Sequence, residues 1–212
     1  MTKSFLSVLL LSVGLLWLLP AGTALADCHD PEPEPDSEET FTPSLLSISC
    51  HSSDPAPGQS LNSSVTKGIV KILQGANKTC DRTIELRYRI DCLRLYYLKV
   101  ATNLPDSGDY LPVKRAMLDA AAKLDAIVTK YEDETAPALR PREGHKSGAK
   151  RLPKVRPVKE AFAEAAAVEA ARVVEEAELV IIRSGGDPAR RTQHYTDIAA
   201  AVEDNLVILR SA

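Results

Sequence analysis

Apolar residues recur at alternating steps of four and three between Cys80 and Val100, and this spacing is the clearest pattern in the chain. The recurring positions are Leu86, Ile90, Leu93, Tyr97 and Val100. Such spacing places side chains on one side of an α-helix. Further apolar residues widen that side beyond a simple coiled-coil seam, so the helix needs partners on more than one side. We expect the rest of the chain to be organised around it.

Four more segments carry the same spacing and predict four more helices. The first begins at a cap among Asn62, Ser63 and Ser64 and stops at Gly75 and Asn77. The central helix ends near Asn103, and Pro112 occupies the first turn of the next one. The predicted inward positions of these four helices are Val65, Ile69, Ile72 and Leu73; Met117, Ala121, Leu124, Val128 and Tyr131; Phe162, Ala166, Ala170, Val173, Ala177 and Val180; and Tyr195, Ala199, Val202, Leu206 and Leu209.

No segment alternates convincingly with the period of two that is typical of a strand. The last helix is expected to follow Gly185 and Gly186, with Asp187 as its N-cap and Pro188 at its first position. We therefore predict an all-α fold, a bundle of four to five helices with an extended acidic N-terminal arm. The bundle occupies residues 61–212 and contains a basic, proline-containing loop at 136–157.

Residues 1–26 are predicted to be a secretory signal peptide. Lys3 precedes an apolar run from Phe5 to Leu19, and the small-residue site Ala24-Leu25-Ala26 follows. Cleavage after Ala26 would export the chain, to the periplasm of a Gram-negative bacterium or otherwise as a secreted protein.

The N-terminus could instead be a membrane anchor or the signal of a lipoprotein. A membrane anchor would need about 20 apolar residues, and the run here is shorter. The sequence Leu25-Ala26-Asp27-Cys28 partly matches a bacterial lipobox, in which Cys28 would be lipidated, but Asp27 stands where a small residue is expected.

Residues 27–60 form the predicted arm, which is acidic, rich in proline and largely irregular. It cannot bury enough apolar surface to fold alone. Removing residues 1–26 takes away one charge, that of Lys3, so the net charge changes from −3 to −4. A mature protein of this charge is not attracted as a whole to nucleic acid. The acidic residues that begin the arm are Asp27, Asp30, Glu32, Glu34, Asp36, Glu38 and Glu39.

The four cysteines, Cys28, Cys50, Cys80 and Cys92, are disulfide candidates because exported chains favour oxidised thiols. In one straight helix Cys80 and Cys92 would lie about 18 Å apart, too far for a bond. We therefore expect at least one bridge from the arm to the Cys80 region. The alternative is a local Cys80–Cys92 bridge, which requires the helix to begin late, near Thr83.

Few residues suggest catalysis or a bound cofactor. Cys28-His29 and Cys50-His51 could together bind zinc or copper. The sequence has no Cys-x-x-Cys-His motif for haem and no Glu-x-x-His pair for di-iron, so we predict no cofactor. His145 and His194 are expected to be solvated surface residues, since no nucleophile motif accompanies them.

The segment from Arg140 to Lys159 concentrates positive charge and is the predicted contact surface for an anion. Glu143 is its only acidic residue. The segment could instead be solvated, neutralised within the protein or covered by the acidic arm. Nucleic acid is not expected as a partner, because the segment has no aromatic residue on which bases could stack. Its cations are Arg140, Arg142, Lys146, Lys150, Arg151, Lys154, Arg156 and Lys159.

These patterns favour an exported, non-catalytic protein that binds an anionic envelope component or another protein. A metal-binding protein or enzyme that uses the Cys-His pairs is the first alternative. A homo-oligomeric helical scaffold, in which the apolar seams continue between chains, is the second.

Overall fold

The computed structural model describes residues 60–186 and 189–210, and it confirms an all-α bundle. Each of the five long helices packs against the next, and the fifth packs against the first, so that they form a closed ring. A short sixth helix packs on the fourth. The helices are α1 (Ser63–Thr79), α2 (Leu86–Thr102), α3 (Leu111–Tyr131), α4 (Ala163–Ser184), α5 (Ala189–Glu203) and α6 (Leu206–Arg210).

The first helix begins where the sequence predicts and ends later. The Asn62 side chain caps it by accepting hydrogen bonds from the backbone nitrogens of Ser64 and Val65, at 2.7 and 3.3 Å. The predicted stop at Gly75 is wrong, because α1 continues to Thr79. Gly75 is instead a packing position: a Cβ atom there would lie 3.2 Å from the Tyr96 ring. Helix packing has therefore overridden the usual preference of glycine for helix ends.

The prediction of a disulfide from the arm to the Cys80 region is also wrong. Cys80 is bonded to Cys92, with their Cα atoms 5.8 Å apart. The bond is possible because α2 begins only at Leu86, after a turn in which the Thr83 nitrogen donates to Asp81. The alternative of a local Cys80–Cys92 bridge, which requires a late start of the helix, is therefore confirmed. Cys28 and Cys50 lie outside the described residues.

The central position of α2 is confirmed by its burial. Four of its five predicted inward residues are completely buried, and Leu86 is partly buried. Its polar residues Arg89 and Asp91 are buried as well. A helix that buries residues around so much of its circumference needs neighbours on several sides, and it contacts α1, α3 and α4.

The other helices follow the predicted spacing except α4. In α3 the predicted positions from Met117 to Val128 are buried. In α4 the predicted inward residues Ala166, Ala170 and Ala177 are buried. The two ends of the predicted face are wrong, since Phe162 precedes the helix and is 47% exposed, and Val180 is 41% exposed. The core face consists mainly of alanines, which allow close approach of neighbouring helices: Ala163, Ala166, Ala167, Ala170, Ala171, Val174, Ala177 and Ile181.

The last predicted helix is divided into α5 and α6. Its predicted inward residues are all buried. At the division, the buried Asn205 side-chain nitrogen donates to the Leu73 carbonyl oxygen at 3.1 Å and to Asn77 Oδ1 at 2.8 Å. This asparagine therefore binds the C-terminal segment to α1. The predicted cap at Asp187 and Pro188 lies outside the described residues.

The basic loop is an irregular hairpin, here called the basic hairpin (residues 132–159). The described residues contain no regular strand, but isolated antiparallel bridges pair Leu139 with Val155 and Arg142 with Arg151. Buried Val155 and Val158 attach the hairpin to the bundle. None of the described helices is both long enough and apolar enough to cross a membrane. The predicted signal peptide and most of the acidic arm fall outside the described residues.

Candidate functional site

Arg156, one of the eight predicted anion-contact residues, is neutralised within the protein. Its guanidinium lies 2.5 Å from Asp125 Oδ1 and 3.3 Å from Asp91 Oδ1, and its backbone nitrogen donates to Asp91 Oδ2 at 2.8 Å. Asp91 is fully buried and also accepts from Arg94 at 2.5 Å. Desolvation acts to lower the pKa of Arg156, but attraction to Asp91 and Asp125 raises it overall. Arg156 is therefore a structural cation and is not available to a ligand.

The other seven cations remain available. Each is exposed or half-buried, and none has a carboxylate within 4 Å among the described residues. They are distributed along the basic hairpin, so the structure does not gather them into one pocket. Lys146 is the member of this set that lines the cleft described next. The seven are Arg140, Arg142, Lys146, Lys150, Arg151, Lys154 and Lys159.

A cleft of about 380 Å³ lies between α1, the end of α2 and the hairpin tip. Four lysines line it, and we call it the lysine cleft. Glu143 is the one acidic residue in its wall, and it pairs with one of the four, Lys99, at 2.7 Å. The remaining three have no carboxylate partner within 4 Å in the described part of the chain. These three are Lys71, Lys78 and Lys146.

The contribution of α1 to this cleft was missed by the sequence analysis, although a signal was present. Lys67, Lys71 and Lys78 are separated by four and seven residues, so they share one side of the helix. No acidic residue occurs between Ser63 and Thr79 to neutralise them. A helix face that carries only cations produces a positive potential at the surface. The spacing of these lysines in the sequence therefore already indicates a cationic surface on α1.

Buried hydroxyl groups fix the floor of the cleft. The Thr79 and Tyr96 hydroxyl oxygens are 2.6 Å apart, and the Gly144 backbone nitrogen donates to Thr79 Oγ1 at 2.9 Å. Burial raises the pKa of Tyr96, the Thr79 hydrogen bond opposes this, and the charge of Glu143 adds to it. Tyr96 thus stays a neutral phenol at physiological pH. These groups hold the hairpin tip against α1, and the lysines supply the charge.

A second set of contacts holds the same tip. His145 has a backbone φ of 56°, and its Nε2 atom lies 2.7 Å from Thr83 Oγ1 and 3.1 Å from Asp81 Oδ1. In a catalytic triad the nucleophile and the carboxylate lie on opposite ring nitrogens. Here both closest contacts are to Nε2, so the group is a structural clasp between the α1–α2 turn and the hairpin. The prediction that His145 is only solvated is therefore incomplete.

The charge of Asp81 is part of this clasp. Desolvation acts to raise its pKa, but hydrogen bonds from Thr83 and the proximity of His145 lower it overall. Asp81 is therefore ionised over the whole physiological range.

His194 is half-buried, and the prediction of a solvated residue is wrong. Its Nδ1 atom lies 2.8 Å from Thr66 Oγ1, which lies 2.8 Å from the Tyr110 hydroxyl oxygen. This chain of hydrogen bonds joins α5 to α1 and to the start of α3, which is a structural role.

The described residues contain no group of three or more His, Cys, Asp or Glu side chains that could bind a metal ion. The candidate ligands Cys28-His29 and Cys50-His51 lie outside them. What the described geometry offers is a fixed, open cleft with three lysines that have no carboxylate partner. Lysine ammonium groups bind phosphate and other oxyanions as compact charges with three donors each.

Comparison of the chain with protein-family models, with curated proteins and with solved structures yields no match.

Proposed function

We propose that this chain is an exported, non-catalytic protein that binds phosphate-bearing lipid at an anionic envelope surface. The lysine cleft and the exposed cations of the basic hairpin form its contact. The observation that carries the proposal is the convergence of Lys71 and Lys78 from α1 with Lys146 from the hairpin, with no carboxylate of residues 60–186 or 189–210 within 4 Å of any of them. Three ammonium groups held in one cleft repel each other, and an oxyanion relieves that repulsion.

Export is supported by two independent features. The N-terminal sequence has the three parts of a signal peptide, and the Cys80–Cys92 disulfide is a bond that persists mainly in oxidising compartments. The disulfide also bears on the site, because Cys80 directly follows Thr79. Oxidation therefore stabilises the floor of the cleft in the compartment where the protein would act.

A surface is a better ligand than a small molecule for this arrangement. The cleft is open, and cations continue outside it on the basic hairpin at Lys150, Arg151 and Lys154. A planar array of headgroups can contact the cleft and these cations together, whereas a single phosphate can contact only the cleft. Each basic residue near an anionic membrane contributes about 1 kcal/mol to binding.

The test is binding of the processed chain to vesicles of phosphatidylglycerol and of phosphatidylcholine at about 50 mM salt, where screening is weak. Binding should require phosphatidylglycerol. The triple variant Lys71→Gln, Lys78→Gln, Lys146→Gln should bind about 100-fold more weakly, from about 1 kcal/mol for each charge. Deleting residues 27–39 should strengthen binding if the acidic arm covers the cations.

The matched control removes three positive charges from α3 by the changes Arg115→Gln, Lys123→Gln and Lys130→Gln. It should retain most of the binding, because Lys123 and Lys130 are already paired with Glu176 and Glu169. Equal loss in both triple variants would mean that net charge alone drives binding. A third experiment adds inorganic phosphate to the wild type and vesicles at constant ionic strength. Full displacement of the vesicles by phosphate would identify a small oxyanion as the ligand, and binding to neutral vesicles would contradict the proposal.

A further inference from the structure

Three large apolar side chains face solvent along one side of α4. Val168 is 57% exposed, and Leu179 and Ile182 are each 47% exposed. At 3.6 residues per turn they lie within about 60° of one another around the helix axis. They stand opposite the core residues Ala170 and Ala177, on the side that the bundle leaves uncovered.

The borders of this face are occupied by contacts within the bundle. On the α3 side, Lys123 Nζ lies 2.7 Å from Glu176 Oε1. Glu175 lies within the face, and its carboxylate accepts from Arg210 of α6. These two pairs attach α4 to its neighbours. No ion pair of the described residues involves Glu164 or Arg183 at the ends of the face.

Charged residues on the same face have both signs. Glu164 and Arg172 lie on it with Glu175, and Arg183 is near its C-terminal end. Glu164, Arg172 and Arg183 have no ion-pair partner within 4 Å among the described residues. The face thus combines unpaired charges with exposed apolar side chains, whereas a simple solvated helix face would be polar throughout.

These residues match each other under a two-fold rotation. In an antiparallel pair of identical helices, each residue lies opposite one that is equally far from the symmetry axis. With the axis between Val173 and Val174, Val168 lies opposite the partner's Leu179. The same register places Glu164 opposite the partner's Arg183. It also places Arg172 opposite the partner's Glu175, which already accepts from Arg210 of its own chain. Val168 and Leu179 therefore meet across the axis, and Glu164 and Arg183 each meet a charge of opposite sign.

Two shifted registers lose this match. Moving the axis by two residues in one direction places Leu179 opposite Glu164 of the partner subunit. Moving it by two residues in the other direction places Leu179 opposite the partner's Arg172. Either shift buries a charge against an apolar side chain, which is unfavourable. The charges on α4 thus disfavour both of these shifts.

We infer that the outward face of α4 is the interface of a two-fold symmetric homodimer, with a second copy of this chain packed antiparallel across it. The inference is independent of the proposed lipid binding, because α4 contributes no residue to the lysine cleft. A helix of 22 residues provides about 33 Å of contact length. Each charge pair occurs twice in the dimer, so a single substitution acts on two contacts.

The first test is sedimentation velocity of the processed, oxidised chain over a concentration series. The wild type should show a concentration-dependent equilibrium between monomer and dimer. Val168→Glu should be monomeric at every concentration, because it inserts two carboxylates into the apolar part of the interface. The matched control is Val207→Glu, on α6, where an equally exposed valine (53%) lies outside the α4 face and dimerisation should be unchanged.

The second test exchanges charges. Glu164→Arg and Arg183→Glu should each raise the dimer dissociation constant about tenfold, since each creates two like-charge contacts. Mixing the two single variants should restore dimers, because both contacts in the mixed dimer pair opposite charges. Each substitution is also unfavourable for the helix dipole, so melting curves verify that both variants fold.

The inference is overturned if the wild type is monomeric up to about 100 µM, well above the micromolar dissociation constants of weak complexes. It is equally overturned if Val168→Glu dimerises like the wild type, or if the mixed charge variants fail to associate better than either one alone. The vesicle experiments have a separate readout and are unaffected by these outcomes.

Discussion

Arg156 and Lys146 stand at two ends of the same basic hairpin, and their surroundings give them different roles. Arg156 contacts three carboxylates, one of which is the fully buried Asp91. Lys146 faces a cleft that contains other lysines, and no carboxylate lies within 4 Å of it among the described residues. A cation with buried acidic partners holds the fold together, whereas one among other cations is available to an external anion.

The basic hairpin is both a structural element and available for binding. Its base is fixed to the bundle by ion pairs and by the buried Val155 and Val158, and its tip is fixed by Gly144 and His145. The lysine side chains are therefore presented from a firm backbone. Four experiments test this distinction, from the largest expected effect to the smallest.

Asp91→Ala should have the largest effect on stability. It removes the buried acceptor of Arg94, of the Arg156 guanidinium and of the Arg156 backbone nitrogen, and we expect a loss of about 3–5 kcal/mol in unfolding free energy. Asp125→Ala, at the exposed edge of the same cluster, should cost about 1 kcal/mol or less. Urea denaturation of both variants measures the difference. Similar losses would mean that the cluster is a surface ion-pair network.

Replacing both Cys80 and Cys92 by Ser should reduce the unfolding free energy by about 2–3 kcal/mol, as for other short disulfide loops. The loss should be uneven along the hairpin. Hydrogen exchange should become faster at residues 143–146, which contact Thr79 and Thr83 beside the disulfide, and change little at residues 155–158. Uniform acceleration would show that the two ends of the hairpin are not independently supported.

Lys146→Gln and Arg156→Gln should have opposite profiles. Loss of Lys146 should weaken binding to phosphatidylglycerol vesicles about fivefold, equivalent to about 1 kcal/mol, and change stability by less than about 0.5 kcal/mol. Loss of Arg156 should lower stability clearly and leave vesicle binding nearly unchanged once the variant is folded. Equal vesicle binding by the wild type and Lys146→Gln would remove the hairpin tip from the proposed surface.

Asp81→Asn should have the smallest effect, visible in the pH dependence of stability. The folded pKa of Asp81 lies below its unfolded value of 3.8. Its stabilising contribution is therefore complete above that unfolded value and is lost as pH falls through the folded pKa. The difference in melting temperature between wild type and variant should shrink between about pH 5 and about pH 2. A constant difference would mean that the Asp81 charge does not support the hairpin tip.

The sequence by itself determined those features that depend on near neighbours along the chain. The capped start of α1 within 62–64, the position of Pro112 in the first turn of α3 and the buried stripe from Ile90 to Val100 follow from local hydrogen bonding and helical periodicity. The same holds for the all-α bundle of four to five helices, because each amphipathic segment must bury its apolar side.

The tertiary structure decided whatever depends on residues that are distant in sequence. Gly75 remains inside α1 because Tyr96 packs against it, and Cys80 can reach Cys92 because α2 begins late. The real face of α4 was ambiguous from its many alanines, since small side chains give little periodic contrast. Arg156 and Lys146 have different roles because folding brings Asp91 to one of them and the lysines of α1 to the other. Charge alone gave these two cations the same prediction, and only folding placed carboxylates beside one and lysines beside the other.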